Sequence, residues 1–170
     1  QAARASMVDC VIGACDDVRL FHAAYASGGD AVLPAPNHLS GSDRLAEVAE
    51  RLPPGSIIVN VQGDEPLISP DTIDRAVEAI LNDPSADIST TCERIESPED
   101  LLNGNVVKVV IAADGHALYF SRAPIPYPRD ASQRNGGDAN QAIRTEPELL
   151  AGFRKHTGLY VYSREYLLEF

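Results

Sequence analysis

A chain of 170 residues, 44% hydrophobic and 23% charged, can bury a substantial core and reads as one globular domain over 1–170. Its net charge of −11 excludes a general nucleic-acid binder, whose affinity comes from neutralising phosphates, and no apolar run approaches the ~20 residues of a membrane helix. No charged-then-apolar leader opens the chain, and Cys10, Cys15 and Cys92 lack metal-ligand spacing, so a cytoplasmic protein with buried free thiols and no membrane partner is expected.

Strand and helix signals alternate. Val8 to Ala14 reads as a strand and Val18 to Ala26 as a helix stopping at Gly28-Gly29; a short strand, Ala31 to Leu33, leads into the loop that ends at His38-Leu39-Ser40-Gly41. Leu45, Val48, Ala49 and Leu52 follow helical spacing, which predicts a helix over Ser42 to Leu52 with Ser40 or Ser42 as its cap and Pro53-Pro54-Gly55 as terminator. Ser69-Pro70 opens another helix, with Ile73, Ala76, Val77 and Ile80 on its apolar face. Ile88 to Cys92 predicts a strand and Ser97-Pro98-Glu99-Asp100 a short helix. Val106 to Ile111 and Ala117 to Ser121 flank Asp114-Gly115 as a hairpin. Arg129 to Glu148 is polar and rich in Gly and Asn, and is expected to be a long mobile loop with a helix starting near Glu146. Lys155 to Tyr162 predicts a last strand, and Arg164 starts a helix.

The richest stretch is Ile57 to Pro66. Its wholly apolar start is that of a strand covered on both faces, and its end places Gln62, Gly63, Asp64 and Glu65 where ligands gather in open α/β sheets. From the residues alone, an ordinary strand-to-loop turn with solvated acids and a ligand-facing carboxylate stand equally open. An acidic protein can still bind an anionic nucleotide when a divalent cation and a few local cations intervene.

Four blocks, Val59-Asn60-Val61-Gln62-Gly63-Asp64-Glu65-Pro66-Leu67, His38-Leu39-Ser40-Gly41-Ser42-Asp43-Arg44-Leu45-Ala46-Glu47, Asn105-Val106-Val107-Lys108-Val109-Val110 and Ala117 to Tyr127, together with His156-Thr157-Gly158-Leu159-Tyr160, resemble the 3-deoxy-manno-octulosonate (KDO) cytidylyltransferases. Order and spacing agree along nearly the whole chain, which is far more specific than one short motif. The resemblance implies an α/β fold, the Rossmann-like nucleotide-diphospho-sugar transferase sandwich, with a mainly parallel sheet and an antiparallel hairpin appendage. It further implies transfer of CMP from CTP to KDO for lipopolysaccharide synthesis, with Mg2+ as cofactor, CTP and KDO as small-molecule partners, and a homodimer.

Residue by residue, the resemblance makes Asp64 the magnesium ligand and a catalytic residue, together with Arg122. It puts Gln62, Arg44, His156 and Tyr127 at the substrate, and His38, Ser40, Gly41 and Ser42 at the nucleotide. Blander roles compete: a capped helix for Ser40 to Arg44, stem packing on an aromatic strand for Arg122, and a structural imidazole for His156. Lys108 lies inside a strand signal, where it is expected to snorkel or pair with an acid, and it stays outside the catalytic set.

The departures are Cys15 in place of a common threonine, Gly104 in place of a common proline, and an insertion around Arg134 to Glu146. The family's first strand with its triphosphate loop, and its C-terminal segment with a second magnesium aspartate, are not matched. That strand is expected between the one ending at Ala14 and the one ending at Gln62, so residues 1–170 alone are expected to fold poorly and to be inactive. The alternatives are a cytidylyltransferase for another 2-keto sugar acid and a non-catalytic remnant serving as an oligomerisation module.

Overall fold

The computed structural model describes residues 2–63 and 67–169, so Asp64, Glu65 and Pro66, on which the magnesium reading turns, lie outside the described residues, as do Gln1 and Phe170. Two compact units divide the chain, Gln1–Thr90 with Gly158–Phe170, and Thr91–Thr157.

In the first unit, β1 (Ile12–Ala14), α1 (Val18–Ala26) and β2 (Asp30–Val32) form a crossover, and β1 and β2 pair in parallel with Gly13 opposite Ala31. Next come α2 (Gly41–Ala49), β3 (Ile57–Asn60) and α3 (Pro70–Asn82). A strand over Ile88–Arg94, β4, begins in this unit, which also holds the end of β7 (Arg154–Ser163) and α7 (Arg164–Glu169). β3 pairs antiparallel with β7, from Ile57 opposite Ser163 to Asn60 opposite Tyr160.

The unbroken apolar run of β3 has a direct cause. Ile57 and Val59 pack toward Ile73, Ala76, Val77 and Ile80 of α3 with Leu159 and Val161. Ile58 packs instead toward Ala49, Tyr162 and Leu167. Each fully buried aliphatic side chain contributes about 1.5–3 kcal/mol, and a strand with a core on both faces needs apolar residues at every position.

β1 pairs with β2 and β3 with β7, so the other edge of each carries no strand among the described pairings. Between them lies a cavity of about 720 Å³, lined by Val8, Val11 and Ile12 on one side and Ile57, Ile58 and Val59 on the other.

In the second unit, α4 (Pro98–Leu102) is capped by the Ser97 hydroxyl, which accepts from the Asp100 amide at 3.1 Å. Strands β5 (Lys108–Ile111) and β6 (Ala117–Ser121) form the expected hairpin. Its turn needs Gly115, which sits at φ +94°. Ile95, Leu101, Ile143, Leu150 and Phe153 form the core.

Three expectations are corrected. The strand pairing is mainly antiparallel: β3–β7, β5–β6 and β5–β7 all run that way, while β1–β2 is parallel. The cause is the return strand β7, which occupies the neighbouring positions that further parallel crossovers would fill. Second, Arg129 to Glu148 is not a mobile loop: it holds α5 (Arg129–Arg134) and α6 (Ala139–Thr145), followed by a 3-10 turn over Pro147–Gly152. Gly136 and Gly137, at φ +67° and +94°, reverse the chain between the helices. Asp138 caps α6 by accepting from the Asn140 and Gln141 amides, and Glu146 ties back to Arg134 and Asn135 at 2.5 and 2.7 Å. Third, of the cysteines only Cys15 is buried; Cys10 and Cys92 are exposed.

Candidate functional site

The expected site residues fall into two groups, one in each unit. In the first unit the loop and first turn of α2 hold His38, Ser40, Gly41, Ser42 and Arg44. Ser40 is the N-cap in a reciprocal box: its hydroxyl accepts from the Asp43 amide at 3.1 Å, and its own amide donates to Asp43 Oδ2 at 2.9 Å. Asp43 therefore answers part of the helix's demand for negative charge, leaving the exposed Gly41 and the half-buried Ser42 at the first turn as the group's remaining surface.

His38 is fixed by a residue the sequence reading passed over. Glu47, on the next turns of α2, accepts from the Ala35 amide at 2.8 Å, meets His38 Nε2 at 2.6 Å and pairs with Arg51 at 3.1 Å. The Ala35 amide, then His38, hold its carboxyl below the usual glutamate value. Glu47 stands in the quoted block, nine residues after His38, and that spacing across a loop and two helical turns was the available signal. Arg44 is engaged by Asp16, just beyond β1, at 3.3 Å, so a substrate anion there competes with an existing ion pair.

Gln62 is exposed beyond β3 and donates to Asn60 Oδ1 at 3.0 Å. Among the described residues no three His, Cys, Asp or Glu side chains gather as a metal cage. The magnesium expectation rests on Asp64, which lies outside the described residues.

The second unit brings Arg122 and His156 to one face. Lys108 of β5 lies opposite Lys155 of β7 and Ser121 of β6. One residue along, the antiparallel register sets Val107 between His156 and Arg122, and the His156 amide donates to the Val107 carbonyl at 2.8 Å. Alternation places Phe120 and Arg122 on the same side of β6, and the Phe120 ring meets the edge of the His156 ring at 5.1 Å. Two strand spacings separate Arg122 from His156, about 10 Å of backbone.

Arg122 donates from Nη1 to the Gly104 carbonyl at 2.9 Å and pairs with no carboxylate among the described residues. Burial pushes His156 below the ordinary imidazole value, so at neutral pH it is an uncharged ring with one donor and one acceptor nitrogen. A cation beside a neutral hydrogen-bonding ring, floored by an aromatic, suits a ligand with one carboxylate and several hydroxyls. Tyr127 does not join this group through any described contact: its hydroxyl meets the Ser132 hydroxyl of α5 at 3.0 Å, and the residue is 63% exposed.

A cytidylyltransferase family model matches residues 1–164. The chain is 49% identical over its whole length to the 3-deoxy-manno-octulosonate cytidylyltransferase of Pelobacter propionicus, covering 64% of that protein. It is 45% identical to the protein of the same name in Trichlorobacter lovleyi, covering 65% of it. The chain thus spans about two-thirds of the length of the curated relatives it matches, slightly short of that mark. Among solved structures it is similar to a CMP:2-keto-3-deoxy-manno-octonic acid synthetase complexed with CTP, at 36% identity and a TM-score of 0.81, covering 98% of this chain and 61% of that one. With nearly every residue inside the family model and the same fold in a CTP-bound relative, the chain belongs to the cytidylyltransferase family.

Proposed function

We propose that the natural protein transfers CMP from CTP to KDO, in lipopolysaccharide synthesis. The anomeric hydroxyl of the sugar attacks the α-phosphorus of CTP in line, its proton passes to solvent, the bond to the bridging oxygen breaks, and pyrophosphate leaves with that electron pair. The observation that carries this reading is Arg122, a guanidinium without a carboxylate partner among the described residues, on one face with neutral His156. Arg122 takes the sugar acid's carboxylate through charge-assisted hydrogen bonds, and His156 orients hydroxyls without adding charge. His38, held by Glu47, and the first turn of α2 approach the nucleotide. Gln62 stands at the end of β3, and Tyr127 walls the sugar side. Magnesium, when bound at Asp64, supplies neutralisation of phosphate charge.

Within the same reading, the groove between β1 and β3 takes a further strand of the same polypeptide. Two open strand edges face one apolar cavity, and a strand of matching length satisfies both ladders. A homodimer forms through β6, where Leu118 and Tyr119 are each 65% exposed beside Phe120, an apolar surface that a partner copy covers. The site is cytoplasmic, where CTP is available.

The test is direct. The natural protein with CTP, KDO and Mg2+ yields CMP-KDO and pyrophosphate in equal amounts, and residues 1–170 expressed alone yield none. Absence of product from the natural protein would overturn the reading.

A further inference from the structure

We propose that Lys108 is a positioning residue that sets the aim of Arg122 by gripping the turn on which Arg122 rests. The inference rests on the reading of Arg122 as the sugar acid's partner.

Lys108 is fully buried, at 0% exposure, in the middle of the second unit. A lysine so placed ordinarily has a carboxylate beside it, because an unpaired buried ammonium is costly. Here the neighbouring acids go elsewhere: Lys155, directly across from Lys108 in β7, takes both Glu93 at 3.1 Å and Asp100 at 3.3 Å. Lys108 Nζ instead donates to two backbone carbonyls, Asn103 at 2.9 Å and Val106 at 2.7 Å. Arg122 Nη1 donates to the carbonyl between them in sequence, Gly104, at 2.9 Å.

Two cations therefore hold three carbonyls of one four-residue turn, one from beneath and one from its surface. The turn's other described restraints are at its start and across it: the Asn103 amide ends α4 on the Glu99 carbonyl at 2.9 Å, the Val106 amide closes on the Asn103 carbonyl at 3.1 Å and the Asn105 amide on Asn103 Oδ1 at 2.9 Å. Gly104, at its tip, has more backbone freedom than any other residue type there. Without the ammonium, the Asn103 carbonyl keeps one partner, the Val106 carbonyl loses its described one, and the Gly104 carbonyl is free to turn. Arg122 then loses a fixed support. Burial, and next the charge of Arg122, push the Lys108 ammonium below the usual lysine value, in keeping with a buried cation whose partners among the described residues are backbone carbonyls.

The role differs from packing. A residue that only fills the core changes stability and both substrates' kinetics together. A residue that aims Arg122 changes the sugar acid's KM while leaving that for CTP alone, and its effect disappears once Arg122 is gone.

The experiment is a double-mutant cycle in the natural protein, with Lys108→Met, Lys108→Gln, Arg122→Ala and the Met/Ala double variant, measuring KM for KDO, KM for CTP and the melting temperature. Arg122→Ala raises KM for KDO by about 10- to 100-fold, the loss of a charge-assisted hydrogen bond. Lys108→Met raises the same KM by about tenfold, leaves KM for CTP within about twofold, and adds nothing in the Arg122→Ala background. If Lys108→Met does not fold, Lys108→Gln, which keeps donors but not the charge or the reach, is read against the same criteria. An unchanged KM for KDO, a parallel rise for both substrates, or full additivity with Arg122→Ala overturns the positioning role. An Arg122→Ala protein with unchanged KM for KDO overturns instead the assignment of Arg122, whatever Lys108 does.

Discussion

His156 shows how one side chain's burial translates into chemistry. Its ring is half-buried against Phe120, and desolvation disfavours the imidazolium, so the folded value lies below the ordinary 6.5. As pH falls through the unfolded value, the unfolded chain takes up the proton first, and stability present above that pH is progressively lost down to the folded value. The melting temperature of the natural protein therefore falls, as pH drops below the ordinary imidazole value, more steeply than that of His156→Gln. Identical slopes in the two proteins contradict the burial argument. Acids act in a lower window: Glu47 and Asp74, held down chiefly by the Ala35 and Met7 amides, stabilise above the ordinary carboxylate range and lose that contribution as pH falls below it.

The same residue-scale view shows what the sequence could and could not reveal. Arg122 and His156 lie thirty-four positions apart, and only the β7–β5–β6 register makes them neighbours on one face. Their meeting was legible through resemblance and not through spacing. Lys108 was misread because a strand lysine usually reaches solvent or an acid, and neither is what its ammonium meets. Glu47 was visible as a letter in a motif, and its i,i+4 pair with Arg51 follows helical spacing, but its Ala35 and His38 partners come from a loop fold that no periodicity encodes.

Among the elements, the long apolar helix α3 was plain from its 3.6-residue repeat, because Ile73, Ala76, Val77 and Ile80 are all buried. α5 and α6 were not, since each buries only two residues, too short a stripe to stand out from polar surroundings. α2 depends on its cap more than on its stripe, burying only Val48 and Ala49. Ser40→Ala removes the hydroxyl that accepts from the Asp43 amide and donates to Asp43 Oδ2, leaving the backbone half of the box, and is expected to cost about 0.5–2 kcal/mol, read as a drop in denaturant midpoint at unchanged slope. It also raises KM for CTP if this turn meets the nucleotide. A midpoint within error of the natural protein's contradicts the energetic role assigned to the box. Strand direction was the element-level failure: an apolar run such as Ile57 to Val59 reports burial on both faces, which an antiparallel neighbour satisfies as well as a parallel one.

For the whole molecule, the fold class was legible while the strand pairing was not. Family membership rests on agreement along 1–164, whereas chemistry rests on a few side chains. The groove between β1 and β3 joins the two scales: it is where the described structure leaves backbone edges open beside apolar side chains. Net charge of −11 makes anionic substrates dependent on local cations, which is why one arginine without a carboxylate partner among the described residues carries so much of the functional reading.

The most direct test of that reading offers the natural protein CTP and Mg2+ with equal concentrations of KDO and N-acetylneuraminate, and identifies the products by mass. The account predicts CMP-KDO as the dominant product, lost when Arg122 is replaced by Ala at the same concentrations. Equal use of both sugar acids, or CMP-KDO formation undiminished in Arg122→Ala, would contradict it.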